Sequence, residues 1–311
     1  MNPIDLMQKL RTEKAELQAK ISTMPFDGSI EVKTINDEKY IYVRKREAGK
    51  YKSTYIDKYS DELYKLAVTG ALQVREYRKM LREIEKQLAE FGYSESELPP
   101  RVLLNIDFAR ANVKSLIYDQ AVLEGIATTF PQTETILEDG EVNGVKASDV
   151  QKILNLKRAW ELIVDPGIVA SQCEYYLLCQ IARLVNEGFF HDGGAVRSVP
   201  VSIGGSSYVP PIPQEHEVKE RISEITGSTS APIDKTIELL LFCMKTQIFI
   251  DGNKRASVIF ANHYMIQNGL GLLVIPERAV NEFKQLLVSY YEDRDSGEIR
   301  EFLKKKCWRQ F

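Results

Sequence analysis

Hydrophobic residues recur at helical spacing over most of this chain, and near the N-terminus the spacing changes to a period of two. Residues 29–57 contain "SIEVKTI", "KYIYVRKR" and "KYKSTYI", separated by "NDE" and "EAGK". This alternation is typical of strands joined by tight turns. Leucine-rich helical stripes flank the segment at residues 4–21 and 60–92. The sequence therefore predicts a helix, a three-stranded meander and a second helix in residues 1–100, ended by Pro99–Pro100.

The second predicted domain, residues 101–311, reads as mainly helical. Apolar side chains at helical spacing run through residues 166–188, and two further helices are predicted at 232–246 and 253–268. The segment "AVRSVPVSIGGSSYVPP" interrupts this pattern with two short alternating stretches around a Gly-Gly pair, which indicates a hairpin. The expected fold class is therefore mainly α with small β elements.

Composition and charge limit the classes of function. The 311 residues carry a formal net charge of −3, so a contact with nucleic acid or an anionic membrane requires a local patch. No apolar signal core and no run of 18 apolar residues occurs, so we expect a cytoplasmic protein that does not span a membrane. The four cysteines lack metal-ligand spacing, which predicts reduced, packed thiols. They are Cys173, Cys179, Cys243 and Cys307.

The stretch "FCMKTQIFIDGNKRAS" has the composition of a phosphate cradle at the start of a helix. Gly252 and Asn253 precede a helical run, where unpaired backbone N–H groups and the positive helix end attract anions. Lys254 and Arg255 add two cations in the first turn. Asp251 is suited to hold Mg²⁺ together with phosphate oxygens, which suggests a nucleotide as ligand. An ordinary helix N-terminus capped by the same residues is the open alternative.

The segment "QIFIDGNKRASV" resembles the signature of the Fic family, which runs His-x-Phe-x-Asp/Glu-Gly-Asn-Gly/Lys-Arg-x-x-Arg. In the family's order, "LIYDQAVLEGIATT" is similar to an inhibitory helix, here near residues 115–125, and "GAVRSVPVSIGGSSYVPP" to a flap. The resemblance implies a helical bundle with a β-hairpin flap. Members with an intact motif transfer AMP from ATP to protein hydroxyls. The related Doc toxin, with Lys in the second small position, transfers phosphate.

The resemblance implies a role for each matching position of the loop. Phe249 would anchor the loop in the core, and Asp251 would hold Mg²⁺. Gly252 and Asn253 would form the anion cradle, and Arg255 would contact the β- and γ-phosphates of ATP or another nucleotide.

Two further elements carry implied roles. The flap, residues 196–209, would align a segment of a target protein by main-chain pairing. Its implied target-binding residues are Val201, Ile203, Gly204, Gly205 and Tyr208. Glu124 and Gly125 would belong to the inhibitory motif.

Three positions depart from the family pattern. Gln247 replaces the catalytic histidine, and an amide cannot act as a general base near neutral pH. Val258 replaces the last arginine, which implies that Glu124 has lost its usual partner. Gln120 replaces a Ser or Thr. The expected function is an impaired protein adenylyltransferase that retains nucleotide and Mg²⁺ binding, with an inactive nucleotide-sensing or partner-binding protein as the alternative.

No other histidine is expected to supply the missing base. His263 lies about two helical turns beyond Arg255, roughly 12 Å along the helix, which is too far for a shared substrate. His191 and His216 lie on either side of the predicted flap and are expected at the surface.

The N-terminal meander has a local basic and aromatic bias. Residues 31–60 contain eight Lys or Arg against five Asp or Glu. Four tyrosines are interleaved, namely Tyr40, Tyr42, Tyr51 and Tyr55. Such a pattern suits nucleic acid, but the small excess of charge favours a solvated sheet that uses its tyrosines for packing. The partner expected from the resemblance is a protein target on the flap, and the sequence also allows a homodimer.

Overall fold

The structure is a computed structural model that describes residues 3–47, 50–90, 98–139 and 144–310. The chain divides into two compact units, Met1–Ser94 and Glu95–Phe311. Part of the second predicted turn, residues 48–49, and most of the predicted helix stop, residues 91–97, lie outside the described residues.

The N-terminal unit contains two helices and a three-stranded antiparallel sheet, as the sequence predicts. The elements are α1 (Pro3–Ser22), β1 (Ser29–Ile35), β2 (Glu38–Glu47), β3 (Lys50–Lys58) and α2 (Asp61–Glu90). The strands lie in the order β1-β2-β3, and Tyr42 of β2 lies opposite Glu31 of β1 and Tyr55 of β3. A register irregularity next to Tyr42 interrupts the second ladder.

Two apolar clusters stabilise this unit. Ile41 and Val43 on one face of β2 pack against Phe26 and the small residues Ala67 and Ala71 of α2. Elsewhere α1 packs on α2 through a leucine-rich seam, as the two helical stripes predict. The buried members of this seam are Leu10, Leu17, Ile84 and Leu88.

The C-terminal unit is a bundle of helices with a two-stranded sheet. The helices are α3 (Pro100–Leu123), α4 (Phe130–Asp139), α5 (Ala147–Ile163), α6 (Pro166–Val169), α7 (Tyr175–Val185), α8 (Glu215–Gly227), α9 (Pro232–Thr246), α10 (Asn253–Gln267), α11 (Val280–Tyr291) and α12 (Gly297–Phe302). The strands β4 (Leu272–Leu273) and β5 (Trp308–Arg309) pair antiparallel. The mainly α fold class is confirmed.

Helix α10 lies at the centre of this bundle and is buried along almost its whole length. It contacts α3, α5, α7 and α9. The predicted cradle directly precedes the first turn of α10. The helices that pack around α10 therefore also fix the position of that loop. Val258 belongs to the core cluster that also contains Leu123 of α3.

Two predicted elements differ in the structure. The single helix predicted for residues 166–188 is split into α6 and α7. Asp165 caps α6 by accepting hydrogen bonds from the N–H groups of Gly167 (2.8 Å) and Ile168 (3.2 Å). The arms of the predicted hairpin at residues 196–209 form no strand ladder in the described structure. Several prolines in and beside these arms lack the N–H group that a ladder needs.

The sequence expectations for cysteines and membrane spans can also be compared with the structure. All four cysteines are free thiols; Cys179 is partly exposed and the others are buried. Among the described residues, no helix is both long enough and apolar enough to cross a membrane.

Candidate functional site

The loop between α9 and α10 forms the floor of the candidate site. Helix α9 ends at Gln247, whose backbone adopts the left-handed conformation with φ 49°. The carbonyl of Gln247 accepts a hydrogen bond from Nε of Arg197 (2.6 Å), and the carbonyl of Ile248 accepts one from the Arg197 N–H (3.0 Å). The buried Arg197 thus provides hydrogen bonds to the backbone carbonyls at the point where the chain leaves α9.

Two residues close the loop before α10 begins. Gly252 has φ +72°, and a Cβ there would lie 2.7 Å from Oδ1 of Asn186. Only glycine therefore fits without displacement. The side chain of Asn253 accepts a hydrogen bond from the Phe249 N–H (2.9 Å) and donates one to the Phe249 carbonyl (2.7 Å). Phe249 is buried, in agreement with its expected anchoring position.

Both ends of the Gln247 amide have partners within the same loop. Nε2 donates to the carbonyl of Met244 (2.5 Å), and Oε1 accepts from Nδ2 of Asn253 (3.3 Å). The predicted base position is thus occupied by a group that cannot titrate and is already hydrogen-bonded.

Asp251 and Arg255 form an ion pair at the start of α10. Arg255 is 1% exposed, and its guanidinium donates to the carbonyl of Val185 (2.6 Å), to Oδ1 of Asn186 (3.4 Å) and to Oδ2 of Asp251 (3.0 Å). All these contacts are with protein groups. Its Nε has no hydrogen-bond partner and lies 3.5 Å from Oε2 of Glu124. A phosphate would therefore contact Arg255 only if this almost fully buried guanidinium moved toward the cleft.

Glu124 reaches this site from the end of α3. Gly125, with φ +79°, ends the helix. Its N–H donates to the carbonyl of Val122, and the N–H of Ile126 donates to that of Ala121, the pattern of a Schellman motif. This geometry places Glu124 in the wall of the cleft.

Glu124 lacks its usual arginine partner, because position 258 is valine, but the structure gives it other partners. Its two carboxylate oxygens lie 3.7 Å from Nζ of Lys254 and 3.5 Å from Nε of Arg255. Val258 removes the usual arginine, but two neighbouring cations on the first turn of α10 stand within ion-pair distance instead. The carboxylate therefore remains paired.

Gln120 has a structural role in the bundle. Its Nε2 donates to the carbonyl of Arg255 (2.8 Å), and its Oε1 accepts from Nε1 of Trp160 (3.1 Å). The buried amide thus links α3 to both α10 and α5.

A cleft of about 470 Å³ lies above the loop, within the range typical of small-molecule sites. Its lining includes Gln247, Asp251, Gly252, Asn253 and Lys254 from the loop, Glu124 from α3, and Val201, Ile203 and Gly204 from the flap. Helix α11 contributes Lys284, which the sequence reasoning missed, together with Tyr291. A lysine in an amphipathic helix carries no local signal that it faces a distant loop.

Arg197 holds the base of the flap. Besides Gln247, its buried guanidinium donates to the carbonyls of Val199 (2.7 Å), Pro210 (3.3 Å) and Pro211 (2.6 Å). Burial lowers the pKa of Arg197. One side chain thus ties both arms of the flap to the end of α9, a role that no sequence motif indicated.

The tip of the flap is a tight turn held by Glu292. The N–H of Ser206 donates to the carbonyl of Ile203 (3.2 Å) across Gly205, which has φ +82°. Oε1 of Glu292 accepts hydrogen bonds from the N–H (2.8 Å) and the hydroxyl (3.0 Å) of Ser207. The turn is therefore stabilised by the side chain of Glu292 rather than by hydrogen bonds between paired strands.

Tyr208 follows this turn and packs inward. Its ring stacks on that of Tyr291 with centroids 6.5 Å apart, and the Lys245 ammonium lies 5.1 Å from its centroid. Of the five residues predicted to bind a target, Gly205 and Tyr208 do not line the cleft, whereas the other three do.

The three histidines lie outside the cleft. His263 is buried, its Nε2 lies 3.0 Å from the Ile168 carbonyl, and burial lowers its pKa to about 4. His191 is exposed beside Asp192, and His216 is exposed on α8. No described histidine therefore lines the cleft.

Among the described residues, no group of three or more His, Cys, Asp and Glu side chains is arranged to hold a metal ion. A cation near Asp251 would therefore depend on oxygen atoms from a bound ligand.

Comparison with known proteins identifies similar sequences for parts of both units. Residues 172–265 match the Fic/DOC family, and residues 5–65 match a family described as a domain of unknown function, DUF6788. A curated relative, the protein adenylyltransferase Fic of Drosophila yakuba, is 25% identical over 198 residues, which is 60% of this chain. The chain matches only 38% of that relative's length.

Solved structures show the same fold at low sequence identity. Fic-1 (residues 134–508) from C. elegans aligns with a TM-score of 0.53 and 19% identity, covering 78% of this chain and 74% of that one. A Fic domain-containing signaling protein from Bacteroides thetaiotaomicron aligns with a TM-score of 0.53 and 18% identity, covering 70% and 89% respectively. The solved structures thus show that the helical bundle has the fold of Fic proteins, and the match to the family model identifies residues 172–265 as a Fic/DOC family domain.

Proposed function

We propose that this chain binds the phosphates of a nucleotide in the cleft, and that its transfer of AMP to a protein hydroxyl is weak. The observation that carries this proposal is the loop itself. The segment from Asp251 to Lys254 lines the cleft, while position 247 holds a hydrogen-bonded amide instead of a base. ATP is the first nucleotide to test, because the relative from Drosophila yakuba is called an adenylyltransferase.

The positive charges around the cleft support phosphate binding. Lys254 lies in the first turn of α10, where backbone N–H groups lack intrahelical partners and the helix dipole is positive. Lys284 faces the same cleft from α11. A phosphate chain bound over Gly252 would lie near both lysines. It would compete with the Glu124 carboxylate for the Lys254 ammonium.

The donor set fits Mg²⁺ bound together with phosphates. Asp251 lines the cleft, and its carboxylate is half-exposed, with Oδ2 accepting from Arg255. One carboxylate completed by phosphate and water oxygens is a common arrangement for Mg²⁺. When bound, the ion would neutralise phosphate charge, and Asp251 would hold it at the mouth of the loop.

The residues present favour positioning over proton transfer. A general base typically accelerates a reaction by about 10² to 10⁴-fold, and Gln247 cannot supply this contribution. The α10 N-terminus and Lys254 can still orient a phosphate and stabilise developing negative charge. We therefore expect slow transfer at best to a target segment presented along the flap.

A second candidate is a protein that binds a nucleotide or a partner without chemistry. The amide of Gln247 is hydrogen-bonded at both ends, and the Glu124 carboxylate lies within ion-pair distance of Lys254 and Arg255. Both arrangements favour this candidate, because they occupy groups that would otherwise act on a substrate.

The experiment compares the native protein, Gln247→His and the double variant Gln247→His/Asp251→Ala. Titration calorimetry with Mg²⁺-ATP measures binding, and labelled ATP with cell extract measures transfer. Transfer by the native protein supports the first candidate, a weak transferase. Transfer by Gln247→His alone supports the second candidate, a non-catalytic protein whose cleft still binds nucleotide and target.

The double variant is the matched control, because it restores the base but removes the proposed Mg²⁺ carboxylate. It should bind and transfer less than Gln247→His. If calorimetry across a panel of nucleotides shows no heat, and Asp251→Ala changes nothing, the proposed cradle is wrong.

A further inference from the structure

The sheet of the N-terminal unit has one face that no described element of that unit covers. On β2, Ile41 and Val43 face the core, so the alternate residues Tyr40, Tyr42 and Arg44 point to the other side. We call the set Tyr40, Tyr42, Arg44, Arg46, Tyr51 and Tyr55 the tyrosine face. The register places Arg46 opposite Tyr51, and Tyr42 opposite Tyr55.

The rings of the tyrosine face remain exposed to solvent. Tyr51 is 65% exposed and Tyr55 is 51% exposed. The Tyr55 ring centroid lies 5.7 Å from that of Tyr42 and 6.1 Å from that of Tyr40. The expectation that these tyrosines serve mainly for packing is therefore met only in part. The rings of Tyr51 and Tyr55, both on the edge strand β3, offer large open surfaces.

Cations lie directly beside these rings. The Arg44 guanidinium lies 4.1 Å from the Tyr51 ring centroid, and the Lys33 ammonium lies 4.5 Å from that of Tyr42. Arg46 lies 5.9 Å from the Tyr51 centroid. The face therefore alternates planar aromatic surface with positive charge at the spacing of neighbouring side chains.

The carboxylates on this side of the sheet do not cancel its positive character. Glu31 pairs with Arg44 (2.9 Å) and also lies 3.9 Å from Lys33, and Glu38 pairs with Lys58. Exposed ion pairs of this kind contribute little to stability, so a phosphate can replace the carboxylate at small cost. Residues 31–60 keep an excess of basic over acidic residues, eight against five.

We propose that the tyrosine face binds single-stranded nucleic acid. Unpaired bases would stack on the exposed rings of Tyr51 and Tyr55, while backbone phosphates contact Arg44, Arg46 and Lys33. A duplex keeps its bases stacked inside and cannot use the rings, so the arrangement selects unpaired strands. Residues 5–65 match a family whose function is unknown, so no role is assigned to this face by that match.

The test measures binding of a fluorescent oligo(dT) of about 16 nucleotides to the full chain by anisotropy. Binding should weaken as salt rises from about 50 to about 200 mM. Arg44→Gln/Arg46→Gln should weaken binding and reduce the slope of log K against log salt by about 1.4, because two phosphate contacts are lost. The matched control is Lys65→Gln/Lys79→Gln on α2, which removes the same charge from exposed positions and should leave binding unchanged.

Two variants of Tyr55 test whether bases stack on its ring: one keeps an aromatic ring and the other replaces it with an aliphatic side chain. Tyr55→Phe keeps the ring and should bind like the native protein, whereas Tyr55→Leu should weaken binding about 5- to 150-fold. Circular dichroism of each variant checks that the sheet is folded.

Any of four results would overturn the proposal. The first three are no binding of oligo(dT) at the lowest salt, equal binding of a duplex of the same length, and an equal loss with the α2 control. If folded Tyr55→Leu binds like Tyr55→Phe, stacking is excluded and the face is not a single-strand site.

Discussion

The two loops that line the cleft are held in contrasting ways. The loop between α9 and α10 is closed by side-chain bonds to its own backbone, with Asn253 spanning Phe249 and a glycine packed against Asn186. The flap is held at its base by Arg197, at its tip by Glu292, and through the stacking of Tyr208 on Tyr291. The difference indicates that the loop between α9 and α10, which is the proposed phosphate cradle, is fixed by bonds within the loop itself. The flap depends instead on contacts with α9 and with the end of α11.

The largest effect is expected where the two loops share one residue. Arg197→Met keeps the apolar volume but removes the hydrogen bonds to the carbonyls of Gln247 and the flap. We expect a loss of about 3–5 kcal/mol in the free energy of unfolding, because several partly buried carbonyls lose their donor. Urea denaturation measures this loss, and Arg183→Met on α7 is the control for removing an arginine.

Hydrogen exchange separates a global effect of Arg197→Met from a local one. Exchange should accelerate at both the flap base and the end of α9. Acceleration in the flap alone would show that Arg197 does not couple the two loops.

Glycine substitution compares the packing of the two loops directly. Gly252→Ala places a Cβ 2.7 Å from Asn186 Oδ1 at positive φ, and should cost about 2–4 kcal/mol. Gly205→Ala in the flap also has positive φ but meets no atom within 4 Å, so only the backbone cost of about 1–2 kcal/mol applies. Thermal unfolding of both variants measures the difference, and equal losses would contradict the tighter packing at Gly252.

Removing the Glu124 carboxylate tests whether it competes with a phosphate ligand for Lys254 and Arg255. In Glu124→Gln, Lys254 and Arg255 lose their ion-pair partner, so affinity for Mg²⁺-ATP should rise by about 5- to 30-fold, a gain of about 1–2 kcal/mol. Calorimetry measures this change. The matched control is Glu134→Gln on α4, whose carboxylate pairs with Lys114 outside the cleft and should not alter affinity. Unchanged or weaker binding by Glu124→Gln would show that the pair does not compete with the ligand.

The smallest effect concerns the tip of the flap. Hydrogen bonds from Ser207 hold the pKa of Glu292 below its ordinary value near 4.5. The contribution of Glu292 to flap order is therefore present above pH 4.5, the unfolded value, and is lost as the pH falls through the lower folded pKa. The amide proton shift of Ser207, followed by NMR, should titrate with a midpoint below 4.5. Glu292→Gln should abolish that titration, and a midpoint at or above 4.5 would contradict the assignment.

Much of the fold followed from hydrophobic spacing, and the failures have identifiable causes. Periods of two and of 3.6 predicted β1 to β3, α1, α2, α9 and α10. The helix predicted through residues 166–188 is interrupted at residues 170–174, between α6 and α7, although the apolar pattern continues across the break. Polar and apolar residues alternate in the flap sequence, yet its arms do not pair as strands. The prolines lack the N–H group that pairing needs, and the side chain of Arg197 holds the two arms instead.

The candidate site shows the same division. The composition of the cradle and the absence of a base at position 247 were readable, because they depend on which residues are present. The replacement partners of Glu124 were not predicted, since the absence of an arginine at position 258 does not reveal that Lys254 and Arg255 lie within ion-pair distance. Lys284 and Glu292 were missed because they join the site from a distant helix and the segment after it.

The sequence by itself determined the helical class, the meander, the chemistry available in the loop and the lack of a titrating group at Gln247. Only the tertiary structure decided that Arg197 joins the flap to α9, that Glu124 stays paired, and that tyrosines and cations share one open face. The physical reason is range. Spacing patterns report neighbours within about one helical turn, whereas the bonds from Arg197 to Gln247 and from Gln120 to Arg255 join residues 50 and 135 positions apart.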